Sequence, residues 1–207
     1  MKAHPRSESI VFVIDHDASA RAALKELFES VGLKVNLFTS ANAFLEAPIP
    51  DAPCCLVLDV RLPGMSGLKL QEELARAKVH VPIVFLTAHG DIHMAVGAMK
   101  AGAVDFLTRP YRNQDVLDAV YAALEQDEMR REKEQSSSSL RERFESLSAR
   151  EKDVVTRVAA GEHNKQIAAE LGLSEVTVKV HRANALRKMR AKSLAELVRM
   201  TDLLRAR

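Results

Sequence analysis

Four stretches of this 207-residue chain carry side chains suited to phosphoryl chemistry: Asp15-His16-Asp17, Asp59, Thr87-Ala88 and Arg109-Pro110. Each follows a short apolar run. An acidic cluster, a hydroxyl and a cation brought to one crevice can bind a divalent metal and a phosphoryl group together. Hard Mg2+ takes oxygen ligands and phosphate oxygens. A carboxylate such as Asp59 can act as a nucleophile and become an acyl phosphate, while the metal and a cation neutralise charge on the transferring group. A blander reading has Asp15 and Asp17 merely capping the helix that follows, which leaves the other stretches unexplained.

These residues converge only if the elements before them form one sheet. Ile10–Ile14, Val35–Phe38, Cys54–Leu58, Ile83–Leu86 and Val104–Leu107 read as five short strands. They alternate with amphipathic stretches at Ala18–Val31, Ala41–Leu45, Gly67–Ala77, Ile92–Ala101 and Gln114–Leu124. Five βα units in that order predict an α/β doubly wound, five-stranded parallel sheet, with strands apolar enough to be buried on both faces. In such sheets functional groups gather beyond the C-terminal strand ends, where all four stretches lie.

The segment Val57-Leu-Asp-Val-Arg-Leu-Pro-Gly-Met-Ser-Gly67 resembles the phosphoacceptor loop of response-regulator receivers. Leu86-Thr-Ala-His-Gly90 and Ala101-Gly-Ala-Val-Asp-Phe-Leu-Thr-Arg-Pro110 are similar to the family's next two landmarks, in order. The resemblance covers residues 9–125 and implies a flavodoxin-like receiver. It implies phosphorylation at Asp59, and Mg2+ held by Asp15, Asp59 and the Arg61 carbonyl; the nearby acid Asp17 is read from its position as a partial substitute. It further implies Thr87 as phosphate-sensing hydroxyl, Phe106 as aromatic switch, and a cis bond from Arg109 to Pro110. Two positions depart from the pattern. His16 stands where a second metal-binding acid is usual, and Arg109 where a lysine is usual; guanidinium keeps the charge in a planar fork instead of a compact ammonium. The pocket thus admits two readings: a phosphorylated receiver with weaker metal binding, or a phosphorylation-independent dimerisation or docking unit.

From Glu125 to Ser139 the apolar pattern fails, giving a linker at 126–142 that is either helical or flexible. Beyond it the chain reads as wholly helical. Ser148 and Glu151 fit a capping box opening a helix to about Ala160, and Asn164 can cap a short helix through Leu171. Ser174 caps a third helix to about Met189, and Ser193 opens a fourth. Short helices joined by glycine-containing turns make a helix-turn-helix module. Along the third helix Val178, His181, Ala185 and Met189 share one face, which should pack inward. The opposite face carries Val176, Lys179, Val180, Ala183 and Arg187, flanked by Thr177 and Asn184. Such a face suits a major groove: Lys179 and Arg187 for guanine edges or phosphates, Val180 and Ala183 for thymine methyls. Lys165 and Lys188 are placed for phosphates, Arg182 for bridging helices. The order Leu147-Ser-Ala-Arg-Glu151, Asn164-Lys-Gln-Ile-Ala168, Ser174-Glu-Val-Thr-Val-Lys-Val-His181 is similar to LuxR/NarL-type helix-turn-helix domains, here residues 143–207. The whole chain resembles FixJ/NarL-type regulators. That resemblance implies a sensor histidine kinase as partner, homodimers on activation, and palindromic promoter DNA.

Charge distribution agrees. Residues 1–125 hold 12 Lys/Arg against 15 Asp/Glu, and residues 126–207 hold 18 against 13, so only the tail is basic. Apolar residues at 47% support a core, and no apolar run reaches the roughly 20 residues of a membrane helix. The polar start, Met1 to Ser9, lacks a secretory signal's apolar stretch, so the expected location is the cytoplasm. Cys54 and Cys55 are adjacent and would point to opposite faces of a strand, which argues against a disulfide framework. His4, His80, His89, His93 and His163 lack metal-ligand spacing. An Asp-nucleophile phosphatase acting on external substrates would need an acid two residues past Asp59, where Arg61 stands. A flavodoxin-like cofactor binder would not place an acidic loop after its first strand. The chain is therefore not expected to be an enzyme beyond its own phosphoryl transfer and dephosphorylation. The remaining alternative is a protein-interaction adaptor whose tail never touches DNA.

Overall fold

The computed structural model describes residues 9–88 and 90–205; His4, His89 and the start of the chain read above lie outside them. The chain divides into two units, the first running to Arg131 and the second beginning at Glu132.

In the first unit, strands β1 (Ile10–Ile14), β2 (Lys34–Phe38), β3 (Cys54–Leu58), β4 (Ile83–Thr87) and β5 (Asp105–Thr108) form one parallel sheet in the order β2-β1-β3-β4-β5. Helices α1 (Ala18–Ser30), α2 (Ala41–Leu45), α3 (Gly67–Arg76), α4 (Ile92–Lys100) and α5 (Asn113–Glu145) connect and follow the strands. Alternation of side chains along each strand builds two cores. Phe12, Ile14, Leu56, Leu58 and Phe85 meet Phe44 of α2, Leu70 and Leu74 of α3 and Ala98 of α4. Val11, Val13, Val57, Val84 and Leu86 meet Leu24 and Phe28 of α1 and Val116 and Val120 of α5. Burial on both faces holds for β3 and β4 throughout and for β1 beyond Ile10. It fails at the sheet edges. On β2, Lys34, Asn36 and Leu37 are exposed, because only one neighbouring strand and less helix cover that side.

The reversal of strand order falls at β1, which lies between β2 and β3. Ile14 pairs with Leu58, and Leu58 with Phe85, so the ends of the central strands sit level. Thr87 is the last residue of β4, paired with Thr108, rather than the first of the following loop.

Helix α5 is continuous from Asn113 to Glu145, so residues 126–142 are helical, and the division between the units falls inside them. Val116, Ala119, Val120, Ala123, Leu124 and Asp127 form its buried stripe at helical spacing. Asp127 thus belongs to the first unit's packing.

The second unit contains α6 (Ala149–Ala159), α7 (Asn164–Leu171), α8 (Glu175–Met189) and α9 (Leu194–Arg205). The Ser148–Glu151 capping box forms as expected, with Ser148 N donating to Glu151 Oε2 at 2.7 Å. Asn164 does not cap α7; it is the first helical residue. His163 is the N-cap, its N–H donating to Gln166 Oε1 at 2.9 Å. Helix α6 packs on α8 and α9, and α7 on α8. Val178, Ala185 and Met189 of α8 are fully buried with Val154, Val155 and Ile167, while His181 is half-buried. Leu194, Leu197, Val198 and Leu204 all join these cores, and among the described residues of α9 the large apolar side chain left exposed is Leu203.

Candidate functional site

Level strand ends bring three of the expected side chains together. Ligand atoms of Asp15, His16 and Asp59 all lie within 4.8 Å of one another. His16 Nδ1 is 3.5 Å from Asp59 Oδ2 and 3.7 Å from Asp15 Oδ1. The Asp59 amide is fixed by the Ile14 carbonyl at 3.0 Å, which ties the phosphoacceptor loop to β1. Gly67 lets α3 begin against the same loop, because a Cβ there would sit 2.3 Å from the Asp59 carbonyl oxygen.

Asp15 is buried, and Arg109 reaches it from the end of β5. Arg109 Nη2 donates to Asp15 Oδ2 at 2.6 Å, while the guanidinium lies over the Tyr111 ring, 5.9 Å from its centroid. Burial pushes the Tyr111 hydroxyl's pKa up. The Asp17 amide donates to Asp15 Oδ1 at 2.8 Å. Among the described residues, Asp59 Oδ1 and Arg109 Nε are buried without a hydrogen-bond partner. Two carboxylates, one of them with an oxygen still open, and an imidazole fit a divalent cation, since buried polar atoms are otherwise paired.

Asp17 is not brought to this group. Its side chain caps α1, accepting from the Ser19 hydroxyl at 2.7 Å and the Ser19 amide at 2.8 Å. These donors, with the Ala20 amide, hold its carboxyl below the usual range. For Asp17 the capping role is therefore the structural one, and the expected partial substitution at the metal site is not supported. Arg61 is exposed in the loop after β3. Thr87 is completely buried at the end of β4. Phe106 on β5 is half-buried, its ring 5.7 Å from that of Phe85. Gly90 leaves room for this ring, since a Cβ there would stand 2.7 Å from Phe106 Cε1. The Arg109–Pro110 bond is cis.

At the second candidate site, Val176, Lys179, Val180, Ala183 and Arg187 are all exposed along one face of α8, with Thr177 and Asn184 half-buried beside them. Thr177 Oγ1 lies 2.8 Å from the capping Ser174 Oγ, and Arg187 Nη2 donates to Asn184 Oδ1 at 3.2 Å. Lys165 is exposed at the start of α7. Arg182 bridges helices as expected, donating to Asn164 Oδ1. Lys188 does not join the face. It turns back to the buried Glu151 carboxylate at 2.7 Å and the Ser146 carbonyl at 3.4 Å, fastening α8 to the start of α6. Burial raises the Glu151 pKa, yet Lys188 and Ser148 outweigh it and leave the carboxyl below its ordinary range.

Two clusters escaped the sequence reading. Asp127 is fully buried and accepts the Cys54 amide at 3.0 Å, Arg130 Nη2 at 2.6 Å and Arg131 Nε at 2.7 Å. Arg131 also donates to Asp51 Oδ1 and to the Pro50 carbonyl. The available signal was Asp127's place on the buried stripe of α5, with arginines three and four residues on. Glu151 was read as half of a capping box, and its second role is visible only in the packing. His80 and His93 are exposed and stand apart from both sites.

Residues 11–121 match the family model of the response regulator receiver domain, and residues 145–201 that of bacterial regulatory proteins of the luxR family. The chain is 55% identical to nodulation protein W of Bradyrhizobium diazoefficiens, over 96% of this chain and 87% of that protein. It is 47% identical to the response regulator protein TodT of Pseudomonas putida, over 95% of this chain and 87% of that protein. Among solved structures, the response regulator StyR aligns with a TM-score of 0.87 at 47% identity, covering 94% of this chain and 98% of that one. Full-length FixJ from B. japonicum aligns with a TM-score of 0.57 at 41% identity, covering 92% and 94%. The chain belongs to the response regulators, as a DNA-binding transcriptional regulator of a two-component system that joins a receiver domain to a luxR-type helix-turn-helix. Among the described residues no helix is long and apolar enough to cross a membrane.

Proposed function

We propose that a sensor histidine kinase phosphorylates Asp59 and that this switches promoter binding by the α8 face. The observation that carries the reading is the buried, unpartnered Asp59 Oδ1 beside Asp15 and His16. An Asp59 oxygen attacks phosphorus, the P–N bond of the donor's phosphohistidine breaks, and an acyl phosphate forms. Hydrolysis of that mixed anhydride returns the carboxylate. Asp15, Asp59 and the Arg61 carbonyl, with His16 at the rim, are the groups that would hold Mg2+. When bound, that ion supplies neutralisation of phosphoryl charge.

Arg109 has donors to share, since Nη2 is on Asp15 while Nε is unpartnered. Thr87 carries its hydroxyl at the C-terminal end of β4. Their engagement with a phosphoryl group, together with movement of Phe106, is the differential interaction that separates two conformations. The active state dimerises and reads a palindromic promoter through Lys179, Val180, Ala183 and Arg187, flanked by Thr177 and Asn184, with Lys165 on phosphates. The protein works in the cytoplasm and has no external substrate.

The test is intact mass after treatment with acetyl phosphate and a divalent cation, Mg2+ and Co2+ in separate samples. One phosphoryl group should be gained by the wild type and none by Asp59→Asn, with a matching rise in promoter affinity for the wild type alone. A wild type that gains no mass, or an Asp59→Asn protein that gains it, would overturn the assignment.

A further inference from the structure

We propose that His16 makes the receiver's cation site one for a borderline first-row divalent ion, such as Co2+, Ni2+ or Zn2+, in preference to Mg2+. The inference rests on the metal-site part of the function proposed above and names its ion class. Three observations carry it. His16 Nδ1 faces both acids, 3.5 Å from Asp59 Oδ2 and 3.7 Å from Asp15 Oδ1, so a nitrogen donor belongs to the same cluster as the two carboxylates. The imidazole is 53% exposed and therefore reachable by an ion entering from solvent. Asp59 Oδ1 is buried without a partner on a residue only 8% exposed, an oxygen still open to a ligand.

Charge and donor type then act in the same direction. Arg109 is bonded to Asp15 Oδ2 at 2.6 Å, so part of the negative charge facing the ion is already compensated. Mg2+ depends on that charge, holds its waters tightly and demands oxygen ligands. Imidazole adds little for Mg2+ but suits zinc, cobalt, nickel and copper ions, whose affinities rise along the first row. Replacing an oxygen by Nδ1 in a cluster of reduced charge therefore weakens Mg2+ more than it weakens the transition ions.

The experiment titrates the untagged full-length chain with Co2+ and Mg2+ separately, for wild type, His16→Asp and Asp59→Asn. Co2+ is also followed by proton NMR, where a coordinated imidazole N–H appears as an exchangeable, hyperfine-shifted resonance. We expect that resonance in the wild type and its loss in His16→Asp. The ratio of Co2+ to Mg2+ affinity should fall by about tenfold or more in His16→Asp, the scale on which groups around a metal act. Asp59→Asn should weaken both ions. A resonance that survives in His16→Asp, or an unchanged affinity ratio, overturns the proposal. The acetyl phosphate mass assay, run with Co2+ as well as with Mg2+, separates this from the phosphorylation reading. Mass gain at Asp59 with an unchanged ratio refutes the ion preference alone. The expected change in ratio without mass gain upholds it and refutes the phosphoacceptor.

Discussion

Asp127→Ala distinguishes an anchored helix from a solvated linker by the sign of its effect. At an exposed position in mid-helix, replacing Asp by Ala should be neutral or stabilise by about 0.5 kcal/mol, from helix propensity alone. At Asp127 the change removes the acceptor of the Cys54 amide, on a residue with no exposure. Leaving that N–H unsatisfied costs about 1–3 kcal/mol. The two arginines are less costly to strand. Their side chains are 27% and 22% exposed, and Arg131 keeps Asp51 and the Pro50 carbonyl, so each lost ion pair contributes about 0–1 kcal/mol. The sum is a loss of about 1–5 kcal/mol. With a urea m-value near 2 kcal/mol/M, the first unit's midpoint should drop by about 0.5–2.5 M. Asp127→Asn, which keeps an acceptor oxygen for the amide, should lose less than half as much. The assay is tyrosine fluorescence of the full chain: there is no Trp, and both Tyr residues, Tyr111 and Tyr121, lie in the first unit. A midpoint that stays level or rises in Asp127→Ala would refute the anchoring argument.

Further outcomes follow from the same contacts. Glu151→Gln should blunt the acid sensitivity of the second unit. The Glu151 carboxyl titrates below its ordinary value of 4.5 in the folded chain, so its stabilisation is complete above that value and drains away as pH falls through the folded one. Urea midpoints from helical ellipticity at neutral pH and at about pH 3.5 should differ less in the variant than in wild type, and equal pH dependence would contradict it. Lys179→Ala should lower the slope of log affinity against log salt for promoter DNA by about one. Lys188→Ala should leave that slope unchanged and cost the second unit about 1–3 kcal/mol, since it uncovers the buried Glu151 carboxylate. Cys54 and Cys55 should resist iodoacetamide until the receiver unfolds. Burial, reinforced by the Asp127 charge, pushes the Cys54 thiol up to about 11, and burial raises Cys55 well above its usual range. Rapid labelling of the native chain would show that β3 is more open than its packing implies.

Much of this protein was legible in its residue order. Strand and helix types follow from local periodicity, and the caps at Ser148 and Ser174 from side chains three residues from their partners, so a linear reading finds them. The convergence of Asp15, Asp59 and Arg109 was also readable, because a parallel α/β sheet sends every strand end to the same edge. What the linear pattern could not decide was which partner each polar group chooses. Asp15 and Asp17 are two residues apart and chemically alike, yet one faces His16 and Arg109 while the other caps α1. Lys188 and Lys179 are both basic residues of α8, but a rotation of 180° around the helix points one to Glu151 and the other to solvent. Asp127 sits in a stretch whose composition reads as a solvated linker, and only the approach of the β3 start, 73 residues earlier, turns it into a buried acceptor. Periodicity is a property of neighbours along the chain, whereas pairing of charges depends on distances between segments that meet only when the sheet and helices have packed.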